Sequence, residues 1–183
     1  MVSTVHVLGI SGSLRKFSYN AGLLRAASEL LPEGMTLEVF DLAPIPLFNQ
    51  DLTDSGNIPE PVQQFKALIA TPEYNYSMPG VLKNAIDWAS RPVQGSPLDG
   101  KPLAMMGAGG GMGTSRAQHH LRQIAVFTNL LPLNKPKVTV QRAFEKFDAQ
   151  GHLTDEPTRR QVRALLQALA AWTRRLRGGS RQE

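Results

Sequence analysis

The chain of 183 residues contains no cysteine. Disulfide bonds, thiolate catalysis and thiolate metal sites are therefore excluded. No apolar stretch approaches the roughly 20 residues that a membrane-spanning helix needs. The N-terminus also lacks the basic region, apolar region and cleavage site of a secretory signal peptide. We therefore expect a cytoplasmic protein with no membrane partner.

Several well-known functional motifs are also missing. No G-x-x-x-x-G-K-[ST] phosphate loop occurs, and Gly9 and Gly12 have the wrong spacing for the G-x-G-x-x-G of a dinucleotide fold. The run Gly9-Ile-Ser-Gly-Ser13 fails the hydrolase pattern G-x-S-x-G at its last position. His119 and His120 are adjacent, so they cannot form an i, i+4 metal pair on a helix. We predict neither a metal site nor a hydrolytic triad.

The excess of positive charge is concentrated near the C-terminus. The formal net charge is +5, and seven arginines lie between Arg159 and Arg181 with no acidic residue among them. Aromatic residues that would stack on bases do not alternate with these arginines, apart from Trp172. We interpret the segment as a solvated helix face followed by a disordered tip at 178–183, with no nucleic-acid partner.

Apolar segments alternate between strand-like and helix-like patterns in one domain at 1–177. The predicted strands are Val5–Ile10, Met35–Asp41, Ala67–Thr71, Pro102–Met106 and Lys137–Gln141. The predicted helices are Ala21–Leu31, Pro59–Lys66, Gly80–Ser90 and Thr158–Leu176. A further helix is predicted to be capped by Thr114 or Ser115 and to run through Leu131. Residues 42–58 are predicted to form a long loop. This order predicts an α/β fold, a doubly wound five-stranded parallel sheet with helices on both faces. The eight residues Pro59–Lys66 are short for a parallel crossover, which usually takes a dozen or more.

The segment after the first predicted strand is rich in short polar side chains. Ser11, Gly12, Ser13, Arg15, Ser18 and Asn20 fall within ten positions. Small residues, backbone N–H groups and a helix N-terminus together favour a phosphate, to which an arginine adds a charge-assisted contact. A simple N-cap by Ser18 or Asn20 explains the same pattern without a ligand. The missing motifs leave a loop for one terminal phosphate, as in a mononucleotide such as FMN.

Two further loops follow predicted strands. Pro72–Ser77 offers a rigid turn, an aromatic face and amide hydrogen bonding, which suit a flat heterocycle, although an ordinary turn before a helix has the same composition. Gly107–Gly113 contains five glycines, which allow either close approach of the backbone to a ring or simple mobility. In parallel sheets the carboxyl ends of the strands share one edge, where ligands bind. We therefore predict that all three loops meet there.

Three motifs in order along the chain resemble those of the NADPH-dependent FMN reductase family, particularly its quinone, chromate and azo-dye reductases. They are Leu8-Gly-Ile-Ser-Gly-Ser-Leu-Arg-Lys-x-Ser-x-Asn20, Thr71-Pro-Glu-Tyr-Asn-Tyr-Ser-x-Pro-Gly80 and Leu82-Lys-Asn-Ala-Ile-Asp-Trp-Ala-Ser-Arg-Pro92. Ala117–Gln123 and Leu133–Pro136 extend the resemblance over nearly the whole chain. Relatives usually carry one or two more helical turns between the positions matching Phe65 and Leu68, in line with the short crossover.

The resemblance implies a flavodoxin-like fold, a tightly held FMN, and homodimers or homotetramers with FMN near a subunit boundary. It assigns the cofactor phosphate to Ser11, Ser13, Arg15, Ser18 and Asn20, and the ring to Pro72, Glu73, Tyr74 and Asn75 with Ser77 beside them. Tyr19 and the backbone of Ala108, Gly109 and Gly110 are the other cofactor-binding residues.

The activity implied is a ping-pong transfer of two electrons from NADPH or NADH through FMN to quinones, chromate, azo compounds or free flavin. The alternative is a non-enzymatic FMN-binding electron carrier. Hydride transfer needs no general base, so no catalytic residue is assigned, and Arg15, Lys83 and Arg116 are candidates for electrostatic support only. The sequence identifies no pocket for the 2′-phosphate of NADPH, and so predicts either reductant.

Overall fold

The computed structural model describes residues 4–54, 67–91 and 95–179. The strands are β1 (Val5–Ser11), β2 (Met35–Phe40), β3 (Ala67–Ala70), β4 (Pro102–Ala108), β5 (Leu131–Pro132) and β6 (Val138–Val140). The helices are α1 (Tyr19–Glu29), α2 (Gln50–Asp54), α3 (Gly80–Ala89), α4 (Ser115–Thr128) and α5 (Glu156–Gly179), with a 3-10 turn at Ala143–Glu145. None of the helices in these ranges is long and apolar enough to cross a bilayer.

The strands form one parallel sheet in the order β2-β1-β3-β4-β5, with β6 also paired to β4. This confirms the predicted doubly wound α/β fold of flavodoxin-like topology. The fifth position of the sheet is divided between two strands. Leu131–Pro132 pairs with the start of β4 at Pro102–Leu103, and Val138–Val140 pairs with its end at Met106–Ala108. The described sheet therefore has six strands rather than five.

The central strands are apolar on both faces because each face is covered by helices. In β1, Val5 and Val7 belong to the core beneath α1 and α5, whereas Leu8 and Ile10 belong to the core beneath α3 and α4. The same alternation of buried side chains continues in β3 and β4. Burial on two faces explains why these strands read as continuous apolar runs in the sequence.

Several predicted boundaries differ from the structure. Helix α1 begins at Tyr19 rather than Ala21, because Ser18 is its N-cap. Helix α4 ends at Thr128 rather than Leu131, because Asn129 is left-handed (φ 50°) and such a residue is a common helix stop. The predicted loop at 42–58 contains the short helix α2.

Other predicted features lie partly or wholly outside the described ranges. The predicted helix Pro59–Lys66 and its short crossover fall in the undescribed stretch 55–66. Helix α5 extends through Gly179, beyond its predicted end at Leu176. Of the predicted tip at 178–183, residues 180–183 are outside the described ranges, so their disorder stays a prediction.

Asp155 caps the N-terminus of α5. Removing its carboxylate is expected to lower the free energy of unfolding by an amount that depends on pH. Its carboxylate accepts a side-chain hydrogen bond from Thr158 and a 2.9 Å bond from the backbone N–H of Thr158, with Lys146 3.7 Å away. These contacts, the Thr158 hydroxyl first, lower the pKa of Asp155 below its usual range. Because the folded-state pKa is depressed, the stabilisation is present above about pH 4 and is lost as pH falls through the folded value.

We expect Asp155→Ala to lower the free energy of unfolding by about 1 kcal/mol at pH 7. Urea denaturation at a series of pH values measures this, and the deficit should shrink below about pH 4. Glu33→Ala, which removes an exposed carboxylate, is the control. A deficit that stays constant down to pH 3 would contradict the cap assignment.

Candidate functional site

The loops that follow β1, β3 and β4 enclose a cleft of about 320 Å³ at the carboxyl edge of the sheet. Its lining consists of Ser13, Arg15, Ser18, Tyr19, Asn20, Pro72, Glu73, Tyr74, Ala108, Gly109, Gly110, Gly111, Met112, Gly113 and Arg116. All the site residues predicted from sequence are on this lining except Ser11, Asn75 and Ser77. Residues more than 100 positions apart in the chain, Ser13 and Arg116, therefore share one concave surface.

The first loop presents hydrogen-bond donors at the start of α1. The Ser18 hydroxyl accepts bonds from the N–H groups of Asn20 (3.2 Å) and Ala21 (3.5 Å), so it serves as the helix cap. Among the described residues, nothing accepts a hydrogen bond from the backbone N–H groups of Lys16 or Phe17. Unused donors beside a helix N-terminus are what an anion requires.

Arg15 supplies the positive charge at this end of the cleft. Its side chain is exposed, and no described carboxylate pairs with it. The guanidinium lies 5.2 Å from the ring centroid of Tyr19, which in turn packs against Phe147 with ring centroids 4.9 Å apart. A free guanidinium held on an aromatic support can form a bidentate contact with a phosphate.

Asn20 and Ser11 have roles within the protein. The buried amide of Asn20 donates to the carbonyl of Ala108 (3.0 Å) and accepts from the N–H of Ala108 (2.9 Å). It therefore ties the start of α1 to the end of β4. The hydroxyl of Ser11 bonds the backbone of Ser13, which shapes the turn, and Ser11 does not line the cleft.

Glu73 is placed in the cleft, but its carboxylate is engaged by α4. The side chain is only 7% exposed, accepts bonds from the N–H groups of Arg116 (2.9 Å) and Ala117 (3.3 Å), and pairs with the Arg116 guanidinium. Thr114, the residue at the N-cap position, makes no capping bond with its own side chain. Glu73 thus caps α4 from another loop, where an anion is favoured by the helix dipole.

The segment after Glu73 forms a tight hairpin of which Tyr74 alone is on the cleft lining. Tyr74 and Ser77 exchange two backbone hydrogen bonds of 2.9 Å, and the two residues between them are left-handed, with φ of 49° at Asn75 and 68° at Tyr76. Two consecutive positive φ values define the usual two-residue hairpin turn. The Arg116 guanidinium lies 3.6 Å from the Tyr76 ring centroid and supports this turn.

The hairpin explains why two predicted ring contacts are not on the cleft lining. Asn75 is at the exposed tip of the turn. The Ser77 hydroxyl bonds Nδ1 of His120 at 2.8 Å and borders a different groove, between α3 and α4. The structure thus brings Pro72, Glu73 and Tyr74 into the cleft but leaves Asn75 and Ser77 outside it.

The glycine loop after β4 has two kinds of glycine. A Cβ on Gly107 would overlap the Thr114 hydroxyl and the Thr71 carbonyl, so this glycine is required by packing. A Cβ on Gly110 or Gly111 would meet no atom within 4 Å. The N–H groups of Gly110 and Gly111 also donate to no acceptor within the described ranges. These two residues therefore offer open backbone to a ligand.

Sequence reasoning left Gly111, Met112, Gly113 and Arg116 out of the predicted site, although they line the cleft. The first three belong to the glycine-rich loop whose convergence on the cleft was predicted as a whole. Arg116 was considered only for electrostatic support. Arg116 directly follows Gly113-Thr114-Ser115, where the glycine loop passes into a predicted helix, and this position was the sequence signal that it lies near the cleft.

Comparison with known proteins connects this cleft to a flavoenzyme family. The family model described as NADPH-dependent FMN reductase matches residues 5–145. The chain is 52% identical to an NAD(P)H-dependent FMN reductase of Pseudomonas aeruginosa, across 97% of this chain and 100% of that protein. It is 47% identical to an NAD(P)H:quinone oxidoreductase of Solanum tuberosum, across 95% of each. The structure of FerB, a flavoenzyme NAD(P)H:(acceptor) oxidoreductase of Paracoccus denitrificans, superposes with a TM-score of 0.81 at 31% identity, over 94% of this chain and 98% of FerB.

Proposed function

Because the chain belongs to the NADPH-dependent FMN reductase family, we propose that it is an FMN-dependent NAD(P)H oxidoreductase whose electron acceptors are quinones. The observation that carries the proposal is the cleft itself. Its lining brings together an unpaired guanidinium, on a loop that also has free N–H groups, a Pro72–Tyr74 wall and an open glycine backbone. This arrangement complements a molecule with a terminal phosphate and a flat heterocycle.

The residues present fit FMN. Arg15 and the free N–H groups of Lys16 and Phe17, just before α1, would hold its phosphate. Tyr74, half exposed on the wall, and the backbone of Gly110 and Gly111 would hold its ring. When bound, FMN supplies the two-electron redox chemistry that no amino-acid side chain provides. The protein binds and orients it and keeps the flanking loops in place through Asn20 and Glu73.

Quinones are proposed as acceptors because several of the relatives are named for them. One is the Solanum tuberosum oxidoreductase, and another, 38% identical, is a 2-hydroxy-1,4-benzoquinone reductase of a Burkholderia species. The balanced reaction is NAD(P)H plus H⁺ plus quinone giving NAD(P)⁺ plus hydroquinone. Chromate, azo compounds and free flavin are further acceptors that we propose for the same cleft. We propose that the reaction takes place in the cytoplasm.

We also propose that the two substrates use the cleft in turn, by a ping-pong mechanism. The described lining forms one cleft, so the oxidised nicotinamide has to leave before an acceptor enters. Initial rates measured against NADPH at several fixed quinone concentrations should give parallel double-reciprocal lines. Intersecting lines would show that both substrates bind together.

The protein is proposed to work as a homodimer or homotetramer with the cofactor near a subunit boundary. Phe127 of α4 is 76% exposed and borders an apolar groove of about 630 Å³ between α3 and α4. Val126 beside it is 86% exposed. Apolar surface of this kind is typical of protein interfaces, and a second copy is the proposed occupant. Analytical ultracentrifugation of the FMN-loaded protein measures its oligomeric state directly.

The central experiment is purification without added flavin, followed by an absorbance scan and an assay of NAD(P)H oxidation with a quinone. We expect bound or readily bound FMN and quinone-dependent turnover. A colourless protein that refuses FMN would overturn the cofactor assignment. A protein that binds FMN but does not oxidise NAD(P)H would instead be an electron carrier.

Gly110→Ala is expected to reduce FMN affinity without reducing stability. The added methyl group enters open space in the cleft and contacts no described protein atom, but it occupies volume that the ligand needs. We expect a rise of about tenfold in the dissociation constant for FMN, in line with the 1–3 kcal/mol typical of overpacking, measured by fluorescence titration. Gly178→Ala, also in open space but on α5, is the control. Unchanged FMN affinity would remove Gly110 from the ring site.

A further inference from the structure

The cleft contains a second cation besides the one assigned to the FMN phosphate. Of the lining residues that the structure describes, Arg15 and Arg116 are the two basic ones. Arg116 is the second residue of α4, and it contacts the loop assigned to the flavin ring. Its guanidinium pairs with Glu73 and lies on the ring of Tyr76. A cation attached to this loop, and not needed by the phosphate, can interact with the second substrate of the cleft.

The guanidinium of Arg116 is held in place but still has free donors. Its Nε atom bonds a carboxylate oxygen of Glu73, and its central carbon lies 3.6 Å from the ring centroid of Tyr76. Its two terminal amino groups donate to no acceptor in the ranges 4–54, 67–91 and 95–179, and the side chain is 35% exposed. An arginine that is already oriented loses little further entropy when its free N–H groups bind a ligand.

The carboxylate of Glu73 does not use up these donors. It is nearly fully buried, and it accepts bonds from two backbone N–H groups of α4 as well as from Nε of Arg116. A ligand in the cleft therefore meets the guanidinium and not the carboxylate. Charged N–H groups form stronger hydrogen bonds with an ionised oxygen than with a neutral one. The free amino groups of Arg116 thus favour an anionic group on the ligand.

The other side chains of the cleft suit a flat ring. Tyr74 and Met112 both line the cleft, and each is about half exposed. An aromatic face stacks on a planar ring, and a flexible thioether adapts to its edge. Together with the donors of Arg116, these surfaces complement a flat acceptor that carries an ionised oxygen.

We propose that Arg116 binds an ionised oxygen substituent on the quinone ring, so that the enzyme prefers hydroxyquinones to neutral quinones of the same size. This rests on the proposed function, since the quinone is the acceptor of the same cleft. A hydroxyl group conjugated to a quinone carbonyl is a vinylogous carboxylic acid, and it is therefore ionised at neutral pH. Arg116 is accordingly a specificity-determining residue, and the electron transfer itself does not require it.

Reduction removes the charge that Arg116 recognises. The balanced reaction is NAD(P)H plus hydroxyquinone anion plus 2 H⁺ giving NAD(P)⁺ plus a neutral trihydroxyarene. The electron pair comes from NAD(P)H, and the three ring oxygens each end as a hydroxyl group. These hydroxyls are ordinary phenols, which, like tyrosine with its pKa of about 10, are protonated at pH 7. The bond to Arg116 therefore weakens on reduction, which favours release of the product.

The test compares 2-hydroxy-1,4-naphthoquinone, an anion at pH 7, with its neutral 2-methoxy analogue at saturating FMN. Arg116→Gln is expected to lower the ratio of kcat/KM for the hydroxy compound to that for the methoxy compound about tenfold, as for loss of a hydrogen bond to a charged group. Any general damage through Glu73 affects both acceptors and cancels in this ratio. Arg116→Lys keeps the charge without the planar fork and should give an intermediate ratio. Arg159→Gln, which removes an arginine paired with Glu29 and absent from the described cleft lining, is the control.

A binding measurement on the wild-type protein does not depend on turnover or on the folding of a variant. Titrations of the FMN-loaded protein, followed by flavin absorbance, should give a lower dissociation constant for the hydroxy compound than for the methoxy compound. Equal dissociation constants, or an unchanged kcat/KM ratio in Arg116→Gln, would overturn the proposal while leaving the quinone reductase activity intact. If NAD(P)H were oxidised with neither quinone, the proposed function would fail, and the two dissociation constants would decide the Arg116 assignment alone.

Discussion

Replacing Arg15 with alanine is expected to weaken FMN binding about 10- to 150-fold, which corresponds to loss of roughly 1.5–3 kcal/mol from a charge-assisted hydrogen bond. The large effect is expected because, within the described residues, Arg15 is the cleft cation without a carboxylate partner. Its loss leaves the phosphate with neutral N–H donors. Equilibrium dialysis of the apoprotein against FMN measures the change.

Two further variants test whether the loss of FMN affinity is specific to the guanidinium of Arg15. Arg15→Lys keeps the charge but cannot form two parallel hydrogen bonds, so its affinity should lie between those of wild type and Arg15→Ala. Arg160→Ala removes an exposed arginine of α5 and should leave FMN affinity unchanged. If Arg15→Ala and Arg160→Ala bound FMN equally well, the phosphate would have to be held elsewhere.

Glu73→Gln is expected to cost the apoprotein about 1–3 kcal/mol of unfolding free energy. The substitution keeps the size of the side chain but removes the negative charge that two N–H groups of α4 and the Arg116 guanidinium share. Because this carboxylate is nearly fully buried, water cannot replace it. Urea denaturation measures the loss, and FMN affinity should fall in the same variant as the Tyr74–Ser77 hairpin loses its support.

Glu29→Gln provides the matched control for Glu73→Gln. Glu29 is 59% exposed and bonds Arg159 between α1 and α5 at 2.9 Å. An exposed pair of this kind contributes less than about 1 kcal/mol. If the two variants were equally stable, Glu73 would be an ordinary surface carboxylate and not the cap of α4.

The features that sequence predicted well are those fixed by local pattern. Continuous apolar runs indicated β1, β3 and β4 because these strands are buried on both faces. A parallel sheet then required their following loops to share one edge, which is where the cleft lies. Ser18 was one of two predicted helix caps, since capping depends only on the next few residues.

The features that sequence missed depend on distant partners. Asn20 was grouped with the phosphate residues, but its amide is engaged with Ala108, 88 positions away. Glu73 was assigned to the ring, but its carboxylate caps a helix 43 positions away. Neither pairing has a local signature. The exclusion of Asn75 from the cleft follows from two consecutive left-handed residues, which composition alone did not predict.

A similar reason explains the divided fifth position of the sheet. Leu131 continues an apolar helical pattern, and sequence therefore extended α4 across it. The left-handed Asn129 ends the helix, and the next residues pair with β4 instead. A single backbone conformation thus separates the predicted helix from the observed strand.

The bonds from Asn20 to Ala108 and from Glu73 to α4 join the three loops to one another without any help from a ligand. The entropy of ordering these loops is thus lost when the polypeptide folds and not when the cofactor arrives. The FMN site should consequently already be formed in newly synthesised apoprotein, before the cofactor binds. Cells short of riboflavin would then accumulate a folded reserve that becomes active within the time of a diffusional encounter.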